Sequence, residues 1–146
     1  MTYSLDTSAF LRILLNEPKR LAANVAMYVC SRQQQGDVFE ISDLVLAEAY
    51  YALQFHYDLP KDAALKVLQH FAGLKGFRVS SYAKDVLALP NLAKASPGFV
   101  DRLIHGAAFT SGATTVSCEK NFNRLVNTAI IKESSSISEL MGQLGE

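Results

Sequence analysis

Apolar positions along this chain come in two rhythms. Brief runs of three to five β-compatible residues alternate with longer stretches whose apolar positions recur every three or four residues. The brief runs predict strands at residues 3–5, 38–42, 77–79, 114–117 and 129–131, the fourth of them buried. The longer stretches predict helices over 9–15, from 19 to about 35, from 44 to about 57, over 61–71, from 82 to about 92, over 99–111 and over a small amphipathic tail at 138–144. A short helical segment is expected at 122–126. Punctuation supports these limits. Asp6-Thr7-Ser8 and Ser42-Asp43 carry capping oxygens. Pro18 closes the helix before it, Pro60 suits a helix start, Gly36-Asp37 reads as a turn and Gly112 as a helix end. Short strands alternating with helices predict an α/β fold: three layers, α/β/α, around a short parallel sheet of four to five strands.

Composition narrows the class. The chain has 146 residues, 49% hydrophobic and 19% charged, which suits a single globular domain spanning 1–146. Its formal net charge is zero, so the strongly basic signature of many nucleic-acid-binding domains is absent. Local basic patches remain compatible with that balance. Cys30 and Cys118 are the only cysteines, one in an expected amphipathic helix and one beside an expected strand; both read as reduced core residues. No apolar run reaches membrane-spanning length and the first residues lack a signal-peptide pattern, so a cytoplasmic location is expected.

Four acids stand where an apolar run meets a turn or helix: Asp6, Glu48, Asp101 and Glu119. Parallel sheets bind ligands beyond the carboxyl ends of their strands, where Asp6 and Glu119 are expected, and the starts of helices, near Glu48 and Asp101, share that rim. Carboxylate oxygens are the ligands of hard divalent ions. Individually each acid has a plainer explanation as a helix cap, a dipole partner or a turn residue. Together they predict a metal site. His56, His70 and His105 lack any zinc spacing. The aromatic group Tyr50-Tyr51 and Phe55-His56-Tyr57 reads as core or subunit interface in preference to a base-stacking surface.

The segments carrying these acids resemble the motifs of PIN-domain ribonucleases, most closely the small VapC-like toxins of bacterial and archaeal toxin–antitoxin pairs. Tyr3-Ser4-Leu5-Asp6-Thr7-Ser8 resembles the family's apolar start with its first acid. Leu44-Val45-Leu46-Ala47-Glu48-Ala49 resembles its helix with a lone Glu. Gly98-Phe99-Val100-Asp101-Arg102 resembles the third motif and Val116-Ser117-Cys118-Glu119-Lys120-Asn121-Phe122 the fourth. Gly98 stands where the third motif usually has its first Asp, and Glu119 and Asn121 stand where the fourth usually has Asp. Glu119 keeps the charge but moves it by roughly one bond, about 1.5 Å.

The resemblance implies a Mg²⁺- or Mn²⁺-dependent endoribonuclease with Asp6, Glu48, Asp101 and Glu119 as catalytic metal ligands. Thr7, Ser8 and Ser117 would orient those ligands, and Arg12, Lys19, Arg20 and Arg102 would contact RNA phosphates. It further implies a structured RNA substrate such as transfer or ribosomal RNA, an antitoxin protein partner and a homodimer, with no membrane association. The alternative is a PIN-like module, weakened in catalysis, that binds RNA or a protein. A response-regulator-like signalling domain ranks lower, because the acid after the first strand stands alone.

Overall fold

The computed structural model describes residues 1–144, which divide into two compact units, Met1–Ala93 and Lys94 onward. The first unit contains β1 (Thr2–Ser4), α1 (Thr7–Leu15), α2 (Lys19–Gln33), β2 (Val38–Glu40), α3 (Asp43–Phe55), α4 (Lys61–Ala72), β3 (Phe77–Arg78) and α5 (Ser81–Leu87). Its strands pair in parallel in the order β1-β2-β3, with Tyr3 opposite Phe39 and Phe39 opposite Phe77. Strands this short need side chains to hold them. Tyr3 stacks on Phe39 at 5.1 Å, and Phe71 on α4 meets Phe77 edge-on at 5.6 Å.

Helix α3 is the spine of this unit. Ser42 caps it by accepting the Val45 N–H at 3.2 Å, and Leu46, Ala49 and Leu53 on its inner face are fully buried. That face packs on α1 and α4, where Phe10, Ala64 and Leu68 are equally buried. Each fully buried Leu or Phe contributes about 1.5–3 kcal/mol of apolar burial.

The second unit contains α6 (Phe99–Thr110), β4 (Thr115–Ser117), a 3-10 turn (Lys120–Arg124), β5 (Thr128–Ile130) and α7 (Ile137–Leu144). Here β4 and β5 pair in parallel, Thr115 opposite Thr128 and Ser117 opposite Ile130. Pro97, Phe99, Leu103 and Phe122 are buried in it.

The α/β class and five parallel strands match the expectation among the described residues. Backbone hydrogen bonds divide those strands three and two. The helix expected from 82 to about 92 ends at Leu87, because Pro90 disfavours a helical residue before it and Asn91 takes a left-handed φ of 57°. The fourth strand is not buried as expected: Thr115 faces inward while Val116 alternates outward and is 55% exposed. Cys30 and Cys118 are free thiols at the surface, not core residues. Of the aromatic group on α3, Tyr50 is core; Tyr51 and Phe55 are exposed and stack on each other at 6.2 Å.

Candidate functional site

Asp6 follows β1 and caps α1. Its Oδ1 accepts the Ala9 N–H at 2.9 Å and the Ser8 hydroxyl at 2.8 Å. Those bonds, the backbone one first, hold its carboxyl below the ordinary carboxylate range, so the group stays ionised without a cation. Oδ2 has no bond among the described residues and is left for another partner. Glu48 is exposed on α3, one turn before Tyr51 and on the side turned away from Leu46 and Leu53. Both acids belong to the first unit.

In the second unit Asp101 lies half-buried in the first turn of α6, and exposed Glu119 precedes the 3-10 turn after β4. Ser117 Oγ accepts the Glu119 N–H at 2.9 Å, which fixes the backbone at that acid. Thr7, by contrast, makes no side-chain bond to Asp6 among the described residues.

None of these four carboxylates is in an ion pair among the described residues. The ion-paired acids are others: Asp37, which takes the Met1 ammonium at 2.6 Å and Arg32 at 3.0 Å, and Glu40, which takes Arg78. Asp43 is satisfied by the hydroxyls of Ser80, at 3.0 Å, and Tyr82. Its bond from Tyr82, with burial second, pushes that phenol above its ordinary pKa. Glu40 and Asp43 border an open cleft of about 590 Å³ beyond the carboxyl ends of β1, β2 and β3.

Among the described residues no group of three or more His, Cys, Asp or Glu side chains stands together as a metal site, so neither unit assembles one from its own residues. Carboxylate is the donor type that a hard divalent ion takes. Among the described residues none of the four is paired with a cation, and Asp6 is kept deprotonated with Oδ2 unbonded.

The departures from the usual motifs have a physical side. Gly98 caps α6 in extended backbone, φ −81° and ψ −168°, and a Cβ there would meet only the Ala95 carbonyl oxygen at 4.0 Å. Nothing in the backbone demands glycine. Asn121 donates its amide to Ser96 Oγ at 2.7 Å, and Arg124 reaches the Ser96 carbonyl oxygen at 3.1 Å. The segment before α6 is thus tied to the turn after β4. In the sequence Asn121 stands as a missing charge; its partner lies 25 positions away and leaves no local signal.

The expected RNA-contacting cations differ in freedom. Arg12 donates to the Glu17 carbonyl oxygen at 2.6 Å and Arg102 to that of Pro97 at 2.7 Å, while Lys19 and Arg20 are exposed on α2.

The PIN domain family model matches residues 3–127, which takes in all four acids, nearly all of the first unit and the second unit as far as Asn127. The chain belongs to the PIN domain family. Among solved structures, this PIN domain is similar to VapBC2 from Rickettsia felis, determined bound to a DNA fragment from its promoter: 20% identity, 90% of this chain and 98% of that one covered, TM-score 0.37. No curated protein matches it.

Proposed function

We propose that this PIN domain is a Mg²⁺- or Mn²⁺-dependent endoribonuclease that hydrolyses structured RNA, transfer or ribosomal, as the toxin of a toxin–antitoxin pair. The observation that carries the reading is a PIN-domain chain with four carboxylates in motif order, none of them ion-paired among the described residues although Asp37 and Glu40 are. Nuclease chemistry is general in the family.

Asp6, Glu48, Asp101 and Glu119 would hold the ion. When bound, such an ion lowers the pKa of water and neutralises charge developing on phosphate oxygens. The chain's own contributions are positional. Ser8 and the Ala9 N–H orient the Asp6 carboxylate and keep it ionised, and Ser117 fixes the backbone at Glu119. Lys19 and Arg20 are free to meet phosphates, and Arg12 and Arg102 retain donors beyond those given to carbonyls. The antitoxin and a second copy of the chain are its expected partners, and the cytoplasm its expected place; among the described residues no helix is long and apolar enough to cross a membrane.

A second reading is a PIN-domain binding module with weakened catalysis. It draws support from Asn121, whose amide is committed to Ser96, and from Gly98, which brings no carboxylate. One experiment separates the two: total cellular RNA incubated with purified protein in Mn²⁺, Mg²⁺ or EDTA, beside Asp6→Asn. Discrete fragments that require metal and disappear in the variant are expected. Intact RNA with folded, antitoxin-free protein would favour the binding module.

A further inference from the structure

The second unit has a polar cleft that the metal chemistry does not use. It is open, about 500 Å³, and runs beside the β4–β5 pair. Lys120, Asn123, Asn127, Thr114 and Lys132 stand around it. Lys120 opens the 3-10 turn after β4 and Lys132 follows β5; since Ser117 pairs with Ile130 in parallel, the two lysines leave paired strands at the same end. That end is where parallel sheets take their ligands. Both lysines also border an adjoining cleft of about 620 Å³, onto which Cys118 and Glu133 open.

These donors are uncompensated. Among the described residues neither ammonium has a carboxylate partner, and the amides of Asn123 and Asn127 carry no side-chain hydrogen bond. Two exposed ammonium groups sharing a concave, polar wall ask for an anion. The neutral donors spread along the same wall ask for an extended one, with acceptors repeated along its length. An inorganic ion would satisfy one lysine and leave the remainder of the wall idle. A phosphodiester chain offers a charge at every residue and ribose hydroxyls between, which amides and hydroxyls can meet.

We propose that this cleft is a phosphodiester-backbone track that holds a single-stranded stretch of RNA beside Glu119, the residue preceding Lys120. The proposal rests on the ribonuclease reading for the identity of the strand and adds how the second unit grips it. The grip is independent of base sequence, because every donor named suits phosphate or sugar. Glu133, beside Lys132 on the adjoining cleft, opposes an anion on that side and favours the strand's passage along β5.

The test is binding by the full chain in EDTA, followed by fluorescence anisotropy across a salt series. One probe is a short labelled oligoribonucleotide; the other is an abasic phosphodiester oligomer of the same length. The double variant Lys120→Ala with Lys132→Ala should weaken both probes about tenfold at low salt and flatten the log–log salt slope by about 1.4, twice the value for one phosphate on a single strand. Lys120→Arg with Lys132→Arg should stay within about twofold of wild type, since the charges remain. Wild-type affinity and slope in the double alanine variant would overturn the track. So would competition by polyglutamate as effective as that by RNA. The two readings fail separately. Metal-dependent cleavage whose KM ignores both lysines removes the track and keeps the nuclease. Lysine-dependent binding of the abasic oligomer by a protein that cleaves nothing keeps the track and removes the nuclease.

Discussion

Asp6 performs a structural task and is assigned a chemical one, and the two can be pulled apart. Asparagine caps helices as well as aspartate does, whereas alanine forfeits about 1 kcal/mol. Asp6→Asn should therefore melt close to wild type yet lose metal-dependent cleavage, and Asp6→Ala should lose both; thermal unfolding beside an RNA cleavage assay reads the difference. The carboxyl's pKa is depressed in the folded state, chiefly by the Ala9 N–H and then by Ser8. Its contribution is thus present above the unfolded carboxylate range, near 4, and lost as pH falls through the lower folded value. Acid unfolding curves of wild type and Asp6→Asn should diverge only there. At Gly98 the backbone is extended and the space open, so Gly98→Asp should fit, add a few tenths of a kcal/mol as a cap and tighten Mn²⁺ binding measured by calorimetry. Asp6, Glu48, Asp101 and Glu119 stand out in the sequence as candidates because each sits in a local motif. The partners of Asn121 and Asp43 could not, since Ser96 and Tyr82 come from remote segments.

At the scale of elements, helices were the legible part. Periodicity and caps located α1 to α4 and α6 to within a few residues, because those signals are local. The strands are two or three residues long, too short for alternation to say which face is buried, and Val116 shows it. How strands hydrogen-bond is a non-local matter and left no trace in the spacing. The turn into β3 depends on Gly76, whose φ is +90° and whose carbonyl oxygen accepts the Phe39 N–H at 2.8 Å. A Cβ there would come within 2.5 Å of Gln33 Nε2. Gly76→Ala should cost about 1–2 kcal/mol in chemical denaturation, mostly backbone strain because Gln33 can swing aside.

Across the whole molecule, the PIN family match runs from the first unit into the second as far as Asn127, and the candidate acids lie two in each unit. A ligand that binds the folded chain and not the unfolded one stabilises it. Mn²⁺ at a hundredfold excess over its Kd should add about 2.7 kcal/mol to unfolding, seen as a higher Tm, and the gain should vanish in Asp6→Asn. The surface thiols supply a further handle. The chain has two cysteines, both exposed and free, Cys30 on the first unit and Cys118 on the second. Neither is among the residues assigned to the metal or to the phosphodiester track. A donor and acceptor dye attached to them would form a spectroscopic ruler between the units, read by energy transfer while metal or RNA is titrated. The natural sequence already carries both attachment points.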